Sequence, residues 1–177
     1  MRTPDEMTNH DAPLHLVFMG VSGSGKSTVA RAVQERLGWE LAEGDDFHPP
    51  ENVAKMREGI PLKDADRWGW LESLAEWTAE RDARGEPTLI ACSALRKAYR
   101  DVLRRGGEGT FFVHCTGDKH MLLARMSARD HFMPPSLLES QLDTLEPLQV
   151  DEQGMDIDPA LPVDRLASMV LARLGLV

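Results

Sequence analysis

The chain has 177 residues, which is enough for one domain that buries a sizeable core without disulfides. It carries 20 Lys and Arg against 29 Asp and Glu, and the formal net charge of −9 argues against a general nucleic-acid binder, which needs a basic face. The two cysteines lack zinc-ligand spacing, and no apolar run approaches the length of a membrane span. Residues 1–13 are polar, without the apolar segment of a signal peptide, and are interpreted as a flexible tail of a cytoplasmic protein.

The first predicted element is a buried strand over Leu14–Met19, followed at once by the segment GVSGSGKS at 20–27. The segment matches the phosphate-binding pattern GxxxxGK[ST] at every fixed position, and a helical pattern of apolar residues follows it. The glycines let successive backbone N–H groups face a phosphate, and the start of the helix adds positive dipole there. Lys26 is expected to reach the β- and γ-phosphates and Ser27 to hold Mg²⁺, whereas a ligand-free Gly/Ser turn is disfavoured by this setting. The residues of this segment assigned to the nucleotide are Gly20, Ser22, Gly23, Ser24, Gly25, Lys26, Ser27 and Thr28.

A second strand is predicted over Trp39–Ala42, and the polar segment EGDDFHPP at 43–50 follows it. Phosphoryl transfer to a hydroxyl needs a carboxylate that orients the alcohol and accepts its proton, which either Asp45 or Asp46 can do. The alternative is a pair of aspartates that only begins a turn before proline. His48 either contacts the substrate or caps this turn.

A short helix is predicted within residues 52–59, and a long helix follows over Trp68–Arg84. Asp66 is interpreted as the N-cap of the long helix. Arg67 then stands at a helix start, where the dipole disfavours a cation, and an anionic ligand group would explain its presence. A solvated surface arginine is the alternative.

The third predicted strand, Thr88–Cys92, ends without the aspartate of a Walker B motif. Mg²⁺ therefore needs another acidic contact, through water, and Glu43 and Asp45 are the nearest candidates by topology. Ser93 follows the strand and either hydrogen-bonds a polyol or caps a predicted helix over Ala94–Arg105, and both roles are compatible.

A fourth strand over Phe111–Cys115 precedes a helix over Asp118–Arg129, which carries Arg125 and Arg129 on one face. Small P-loop kinases often fold a lid over ATP at this point, and arginines there neutralise charge on the transferring phosphoryl group. A lid is predicted over about residues 125–140, and a solvent-facing arginine pair is the alternative. The remaining predicted elements are Ser136–Leu145, Met155–Ile157 and Val163–Leu174.

The alternation of strands and helices predicts one α/β domain over residues 14–177. We expect the three-layer α/β/α fold of P-loop NTPases, in the form of the nucleoside monophosphate kinases. Its sheet is expected to have five parallel strands in the order 2-3-1-4-5. Ligands bind beyond the carboxyl ends of the strands in such sheets, where the segments considered above begin.

From Leu14 to its C-terminus the chain resembles the small gluconokinases of the P-loop kinase superfamily, relatives of shikimate kinase. The resemblance rests on four blocks: GVSGSGKST at 20–28, EGDDFHPPENVAKMREGIPLKDADRWGWL at 43–71, CSALRKAYRDVLR at 92–104 and RDHFMPPSLLESQLDTLEP at 129–147. The first block is common to many kinases, whereas the second and third are specific. The family implies transfer of phosphate from ATP to the terminal hydroxyl of D-gluconate, with Mg²⁺, and it suggests a homodimer.

By position, the resemblance implies that Lys26, Asp45 and Arg129 serve catalysis and that Arg67 holds the carboxylate of gluconate. Arg125 is assigned to the nucleotide. The other residues that the resemblance places near the substrate are His48, Ser93, Lys97, Arg100 and His131. Two positions depart from the family pattern, because Gly69 replaces a proline and Glu43 replaces an aspartate.

Two other functions remain open at the level of sequence. One is a kinase for another small anion, such as shikimate or a nucleoside monophosphate, although the Cys92-Ser93-Ala94 segment lacks the glycine triplet of shikimate kinases. The other is a module that binds ATP as a regulator without transferring phosphate. The presence of Lys26 and of the acidic pair disfavours that function.

Overall fold

Five strands form one parallel sheet in the computed structural model, which describes residues 12–128 and 136–176. The strands are β1 (His15–Met19), β2 (Glu40–Glu43), β3 (Thr88–Ala91), β4 (Thr110–Cys115) and β5 (Gly154–Ile157). Their order is β2-β3-β1-β4-β5, and every neighbouring pair is parallel, which confirms the predicted topology. In the central strand, Val17 pairs with Ile90 on one side and with Phe112 on the other.

Helices cover both faces of this sheet. They are α1 (Lys26–Leu37), α2 (Pro50–Arg57), α3 (Asp64–Asp82), α4 (Lys97–Arg104), α5 (Lys119–Ala128), α6 (Ser136–Thr144) and α7 (Val163–Arg173). One core layer joins α3 and α4 to the face of the sheet that carries Val17 and Phe112. The other layer joins α1 and α7 to the face that carries Leu16 and Phe18. Because strand residues alternate between faces, both faces are apolar, as a doubly covered parallel sheet requires.

Two predicted helix starts are wrong. Helix α3 begins at Asp64, so Asp66 is its third residue and not its N-cap. The Asp66 carboxylate instead accepts hydrogen bonds from the Lys63 backbone N–H, at 2.9 Å, and from Lys55 Nζ, at 2.9 Å. Helix α4 begins at Lys97, so Ser93 lies in the preceding loop and does not cap it. Each error follows from choosing the nearest capping residue when the helix starts a few residues earlier or later.

The two ends of the strands differ in chemistry. At the amino ends, the buried His15 ring bonds Thr88 Oγ1 through Nδ1, at 2.7 Å, and Asp82 Oδ1 through Nε2, at 2.8 Å. This triad links the first strand to β3 and to the end of α3. The carboxyl ends carry the glycine-rich loop, the Gly44–Phe47 3₁₀ turn and the loop after β3. Polar residues from three separate segments therefore meet at one edge.

Candidate active site

The glycine-rich loop joins β1 to α1 with backbone conformations that side chains disfavour. Gly25 is the N-cap of α1 at φ 89° and ψ 13°, and a Cβ there would lie 3.0 Å from Arg125 Nη1. At Gly20, where φ is 148°, a Cβ would lie 2.6 Å from Ser24 Oγ and 2.8 Å from the Cys115 carbonyl oxygen. Glycine at both positions lets the chain turn tightly at the start of α1, the geometry that suits a phosphate.

Oxygen atoms that could bind a metal ion lie beside the start of α1. Ser27 Oγ donates to Glu43 Oε2 at 2.8 Å, and Arg31 Nη2 donates to Glu43 Oε1 at 3.1 Å. Lys26 Nζ lies 3.5 Å from the Val21 carbonyl oxygen. Within residues 12–128 and 136–176, no group of three or more His, Cys, Asp or Glu side chains could enclose a metal ion. A hydroxyl and one carboxylate nevertheless fit Mg²⁺, which in kinases takes few protein ligands and completes its shell with phosphate oxygens and water.

Arg125 of α5 closes a cleft on the outer side of this loop. Its Nη2 donates to the Pro159 carbonyl oxygen at 2.6 Å, and its Nη1 donates to the Ser24 carbonyl oxygen at 3.4 Å. The cleft is lined by Gly25, Thr28, Val29, Arg125, Pro159, Val163 and Leu166. Ser24 is fully buried, and its backbone carbonyl oxygen accepts the Arg125 hydrogen bond.

A separate cavity on the other side of the loop, here called the inner cavity, is open to solvent, and about 510 Å³ of space free of protein atoms lies in it and at its mouth. Its polar lining is Ser22, Lys26, Asp45, His48, Arg67, Ser93, Ser140 and Gln141. Its apolar lining is Met56, Pro61, Leu62, Trp70, Leu95 and Leu137. Six predicted site residues are therefore brought together here, and the whole lining combines two cations, one carboxylate and several apolar side chains. A small polyhydroxylated anion fits that lining.

Asp45, and not Asp46, lines the cavity. Asp45 lies in the 3₁₀ turn that directly follows β2, and its side chain is exposed to solvent. Two features set the position of the turn. Gly44 lies so close to β3 that a Cβ on it would lie 2.7 Å from the Ala91 carbonyl oxygen. In addition, Trp70 Nε1 donates to the Gly44 carbonyl oxygen at 2.7 Å. The Trp70 bond thus anchors the turn that presents the carboxylate beside Lys26.

His48 forms part of the cavity wall as a neutral ring. It stacks on Trp70, with ring centroids 3.9 Å apart and planes inclined by 17°, and its Nδ1 lies 3.2 Å from Asn52 Nδ2. Burial lowers the pKa of His48 to about 4, with Arg67 acting in the same direction and Asp45 opposing. Near neutral pH the ring therefore offers hydrogen-bonding nitrogens without a positive charge.

Arg67 reaches the cavity from the first turns of α3, and Tyr99 holds its guanidinium. Arg67 Nη1 donates to the Tyr99 hydroxyl at 2.6 Å, and the guanidinium lies 5.2 Å from the centre of the tyrosine ring. The same hydroxyl donates to Asp64 Oδ1. Tyr99 was missed by sequence reasoning, since no local pattern links it to Arg67.

Two predicted substrate residues do not reach the cavity. Lys97 Nζ donates to Asp151 Oδ2 at 2.8 Å. Arg100 is fully buried; its Nε donates to Glu152 Oε1 at 2.8 Å and its Nη1 to the Ala94 carbonyl oxygen at 2.9 Å. The structure therefore places both cations in contacts between α4 and the segment before β5. Sequence position could not show this, because the direction of each side chain is set by its acidic partner, Asp151 for Lys97 and Glu152 for Arg100.

Helix α6 contributes residues that were not predicted. Leu137 and Gln141, spaced i and i+4, both line the cavity. Gln141 Oε1 accepts a hydrogen bond from the Ser22 backbone N–H at 2.7 Å, which joins α6 to the glycine-rich loop. The i, i+4 spacing was the available signal for this helix. The predicted residues Arg129 and His131 lie outside the described residues.

Comparisons with known proteins identify a family model and relatives that are similar to this chain. Residues 16–148 match the family model described as AAA domain. The chain is 47% identical over 146 residues to the gluconokinase of Gluconobacter oxydans (strain 621H), a match that covers 79% of this chain and 82% of that relative. The similarity thus extends over most of both chains.

Two solved structures share the architecture. An unliganded sugar kinase from Janibacter sp. HTCC2649 has a TM-score of 0.89 and 51% sequence identity, covering 93% of this chain and 95% of that one. A gluconokinase from Sinorhizobium meliloti 1021 has a TM-score of 0.81 and 47% identity, covering 92% of this chain and 93% of that one. Fold and sequence therefore indicate the same group of relatives.

Proposed function

The chain belongs to the gluconokinase family, and on that premise we infer that it transfers the γ-phosphoryl group of ATP to the terminal hydroxyl of D-gluconate. The products are 6-phospho-D-gluconate and ADP, in the catabolism of sugar acids. One structural observation supports this assignment most directly, namely that Lys26, Asp45 and Arg67 line the same cavity. One cation faces the phosphates, the second faces the acceptor, and the carboxylate lies in the same cavity.

The acceptor is proposed to lie along the inner cavity in an extended form. Its carboxylate pairs with Arg67, because the planar guanidinium matches a carboxylate with two parallel hydrogen bonds. The hydroxyls of the chain then face Ser93, the His48 ring and α6. The terminal hydroxyl comes to rest between Asp45 and the γ-phosphate.

Asp45 is the proposed base of the reaction. Its carboxylate orients the terminal hydroxyl and accepts its proton as the hydroxyl oxygen bonds to the γ-phosphorus. The bond between that phosphorus and the β,γ-bridging oxygen breaks, and the electron pair leaves with ADP. Lys26 and the N–H groups at the start of α1 stabilise the negative charge on the phosphate oxygens.

The nucleotide is proposed to lie on the outer side of the loop. Its phosphates occupy the turn from Gly20 to Thr28, and its nucleoside lies in the cleft beside Arg125 and Pro159. Mg²⁺, when bound, neutralises charge on the phosphates. Ser27 is the residue that would hold it, and Glu43 is placed to contact it through water.

Residues 125–140 are proposed to form a lid over the nucleotide. Arg125 already contacts the glycine-rich loop through the Ser24 carbonyl oxygen, and α6 contacts it through Gln141. Arg125 at the start of the segment, and Gln141 just beyond its end, thus both contact the glycine-rich loop. A catalytic role of Arg129, a substrate contact of His131, a homodimer and a cytoplasmic location stay predictions.

The assay that tests this function measures ADP release from Mg-ATP with a panel of acceptors. The panel contains D-gluconate, its epimers, shikimate and nucleoside monophosphates. We expect strong stimulation by D-gluconate and formation of 6-phosphogluconate. Turnover with another acceptor but not with D-gluconate would reject the assigned acceptor and leave the kinase activity in place. Absence of turnover with every acceptor would favour a regulatory ATP-binding module.

The same assay tests the base with a matched pair of variants. Asp45→Asn should lower kcat about 100-fold or more, the usual scale for loss of a general base. Asp46→Asn is the control, because Asp46 is the adjacent exposed carboxylate that does not line the cavity, and its kcat should stay close to wild type. Equal losses in both variants would reject Asp45 as the base.

A further inference from the structure

The hydroxyl of Tyr99 connects two side chains of the first turn of α3. It accepts a hydrogen bond from Arg67 Nη1 at 2.6 Å and donates one to Asp64 Oδ1. The Tyr99 residue is 1% exposed, and its ring meets Trp68 edge to face, with centroids 5.5 Å apart. Neither Tyr99 nor Asp64 lines the acceptor cavity, whereas Arg67 does.

The chemistry of Arg67, Tyr99 and Asp64 allows only one donor–acceptor order for the two hydrogen bonds. An ionised carboxylate only accepts hydrogen bonds and a guanidinium only donates them. The single hydroxyl proton of Tyr99 must therefore go to Asp64, which leaves its lone pairs facing Arg67. Burial, followed by the Asp64 hydrogen bond, raises the pKa of Tyr99 and outweighs the lowering effect of Arg67, so the hydroxyl keeps its proton.

This connection fixes one edge of the guanidinium. No other side-chain hydrogen bond joins Arg67 to residues 12–128 or 136–176. A cation near the start of a helix is disfavoured by the dipole, whereas Asp64 at the first position of α3 is favoured. The Asp64–Tyr99 pair thus supplies the negative and polar contacts that hold Arg67 there, while its remaining N–H groups are left for a ligand in the cavity.

We propose that Tyr99 is a positioning residue that aims Arg67 at the carboxylate of the acceptor, and that Asp64 orients the Tyr99 hydroxyl. The proposal rests on the proposed function, because it assumes an acceptor with a carboxylate at Arg67. Tyr99 itself does not touch the substrate. It acts by reducing the number of directions that a long, flexible arginine can adopt before the acceptor binds.

The test compares Tyr99→Phe with wild type at saturating Mg-ATP. Phenylalanine keeps the ring that packs on Trp68 and removes only the hydroxyl. We expect the KM for D-gluconate to rise about tenfold, the scale of one lost hydrogen bond to a charged group, with kcat and the KM for ATP nearly unchanged. Trp68→Phe, which alters the same aromatic contact and leaves the Tyr99 hydroxyl in place, should leave the KM for D-gluconate near wild type.

A double variant distinguishes loss of Arg67 orientation from a general disturbance of the cavity. Arg67→Ala alone should raise the KM for D-gluconate by more than Tyr99→Phe does. If Tyr99 acts through Arg67, adding Tyr99→Phe to Arg67→Ala should change the KM no further. An equal additional rise in the double variant, or an unchanged KM in the single variant, would overturn the proposal.

Two outcomes keep the inference distinct from the proposed function. Wild-type protein without activity on D-gluconate would reject the function itself. Activity on D-gluconate, with a raised KM in Arg67→Ala but not in Tyr99→Phe, would reject only the role of Tyr99. If Tyr99→Phe fails to fold, Asp64→Ala tests the same connection from its half-buried end, because it removes the acceptor of the Tyr99 hydroxyl, with the same expected rise in KM and an unchanged KM as the contrary result.

Discussion

Neighbouring side chains set the position or the charge of single residues in the inner cavity. Asp45 and Asp46 are adjacent and identical, yet only Asp45 lines the cavity, because the 3₁₀ turn anchored by Trp70 directs it there. His48 is another case, since stacking on Trp70 removes water from a ring that would otherwise titrate near neutral pH.

The first prediction at this scale concerns the charge of His48. Its pKa is lowered from 6.5 to about 4, so the folded protein favours the neutral ring. Its contribution to stability is therefore complete above the unfolded pKa and is lost as the pH falls from 6.5 toward 4. An NMR titration of the histidine ring protons should show no transition of His48 between about pH 5 and 8.

The variant His48→Gln identifies the His48 signal in that titration. A midpoint near 6.5 for the assigned signal would contradict burial as the dominant cause of the lowered pKa. In that case a fraction of the rings would carry a charge near neutral pH, and the position of His48 near Arg67 would need another explanation.

Among the elements, α4 links the acceptor cavity to the segment that precedes β5. Arg100 and Glu152 pair with side chains that are 0% and 1% exposed, and Arg104 also donates to Glu152. Arg100 Nη1 further holds the carbonyl oxygen of Ala94, whose φ of 45° is unusual for a residue with a side chain. The pair therefore supports the strained backbone next to Ser93.

The prediction for this element is that Arg100→Met destabilises the fold by about 3–5 kcal/mol, because it leaves a buried carboxylate without its main partner. Urea denaturation measures the change. Combining Arg100→Met with Glu152→Met should recover most of the loss. Lys97→Met is the control, since it removes an exposed ion pair between the same two segments and should change stability much less. Equal stability of Arg100→Met and wild type would contradict the structural role.

At the scale of the whole molecule, the strands place all candidate chemistry at their carboxyl ends. The glycine-rich loop, Arg125 and Pro159 come from distant parts of the chain and meet in one cleft. The opposite edge carries the buried His15–Asp82–Thr88 triad. Within residues 12–128 and 136–176, no helix is both long enough and apolar enough to cross a membrane.

The contrast between the two ends of the strands predicts which backbone amides a bound nucleotide protects from hydrogen exchange. With Mg²⁺ and a non-hydrolysable ATP analogue, short-time hydrogen exchange should slow at residues 20–28 and 158–161, because phosphate and nucleoside cover these amides. Residues 106–109, at the amino ends of the strands, should exchange as before. Lys26→Ala should abolish the protection. Protection at 106–109 alone would place the nucleotide at the wrong edge of the sheet.

From the sequence, the glycine-rich loop and the alternation of strands and helices followed from local spacing and periodicity, whereas the sheet order and the family rested on the resemblance to known kinases. The sequence also singled out Asp45 and Arg67, which follow β2 and open α3. Only the tertiary structure decided which aspartate faces the cavity, that Arg100 turns inward to Glu152, and that Arg67 meets Tyr99, 32 residues further along the chain. The physical reason is that side-chain direction is set by packing and by partners from other elements. Those contacts form only when the sheet brings distant segments together.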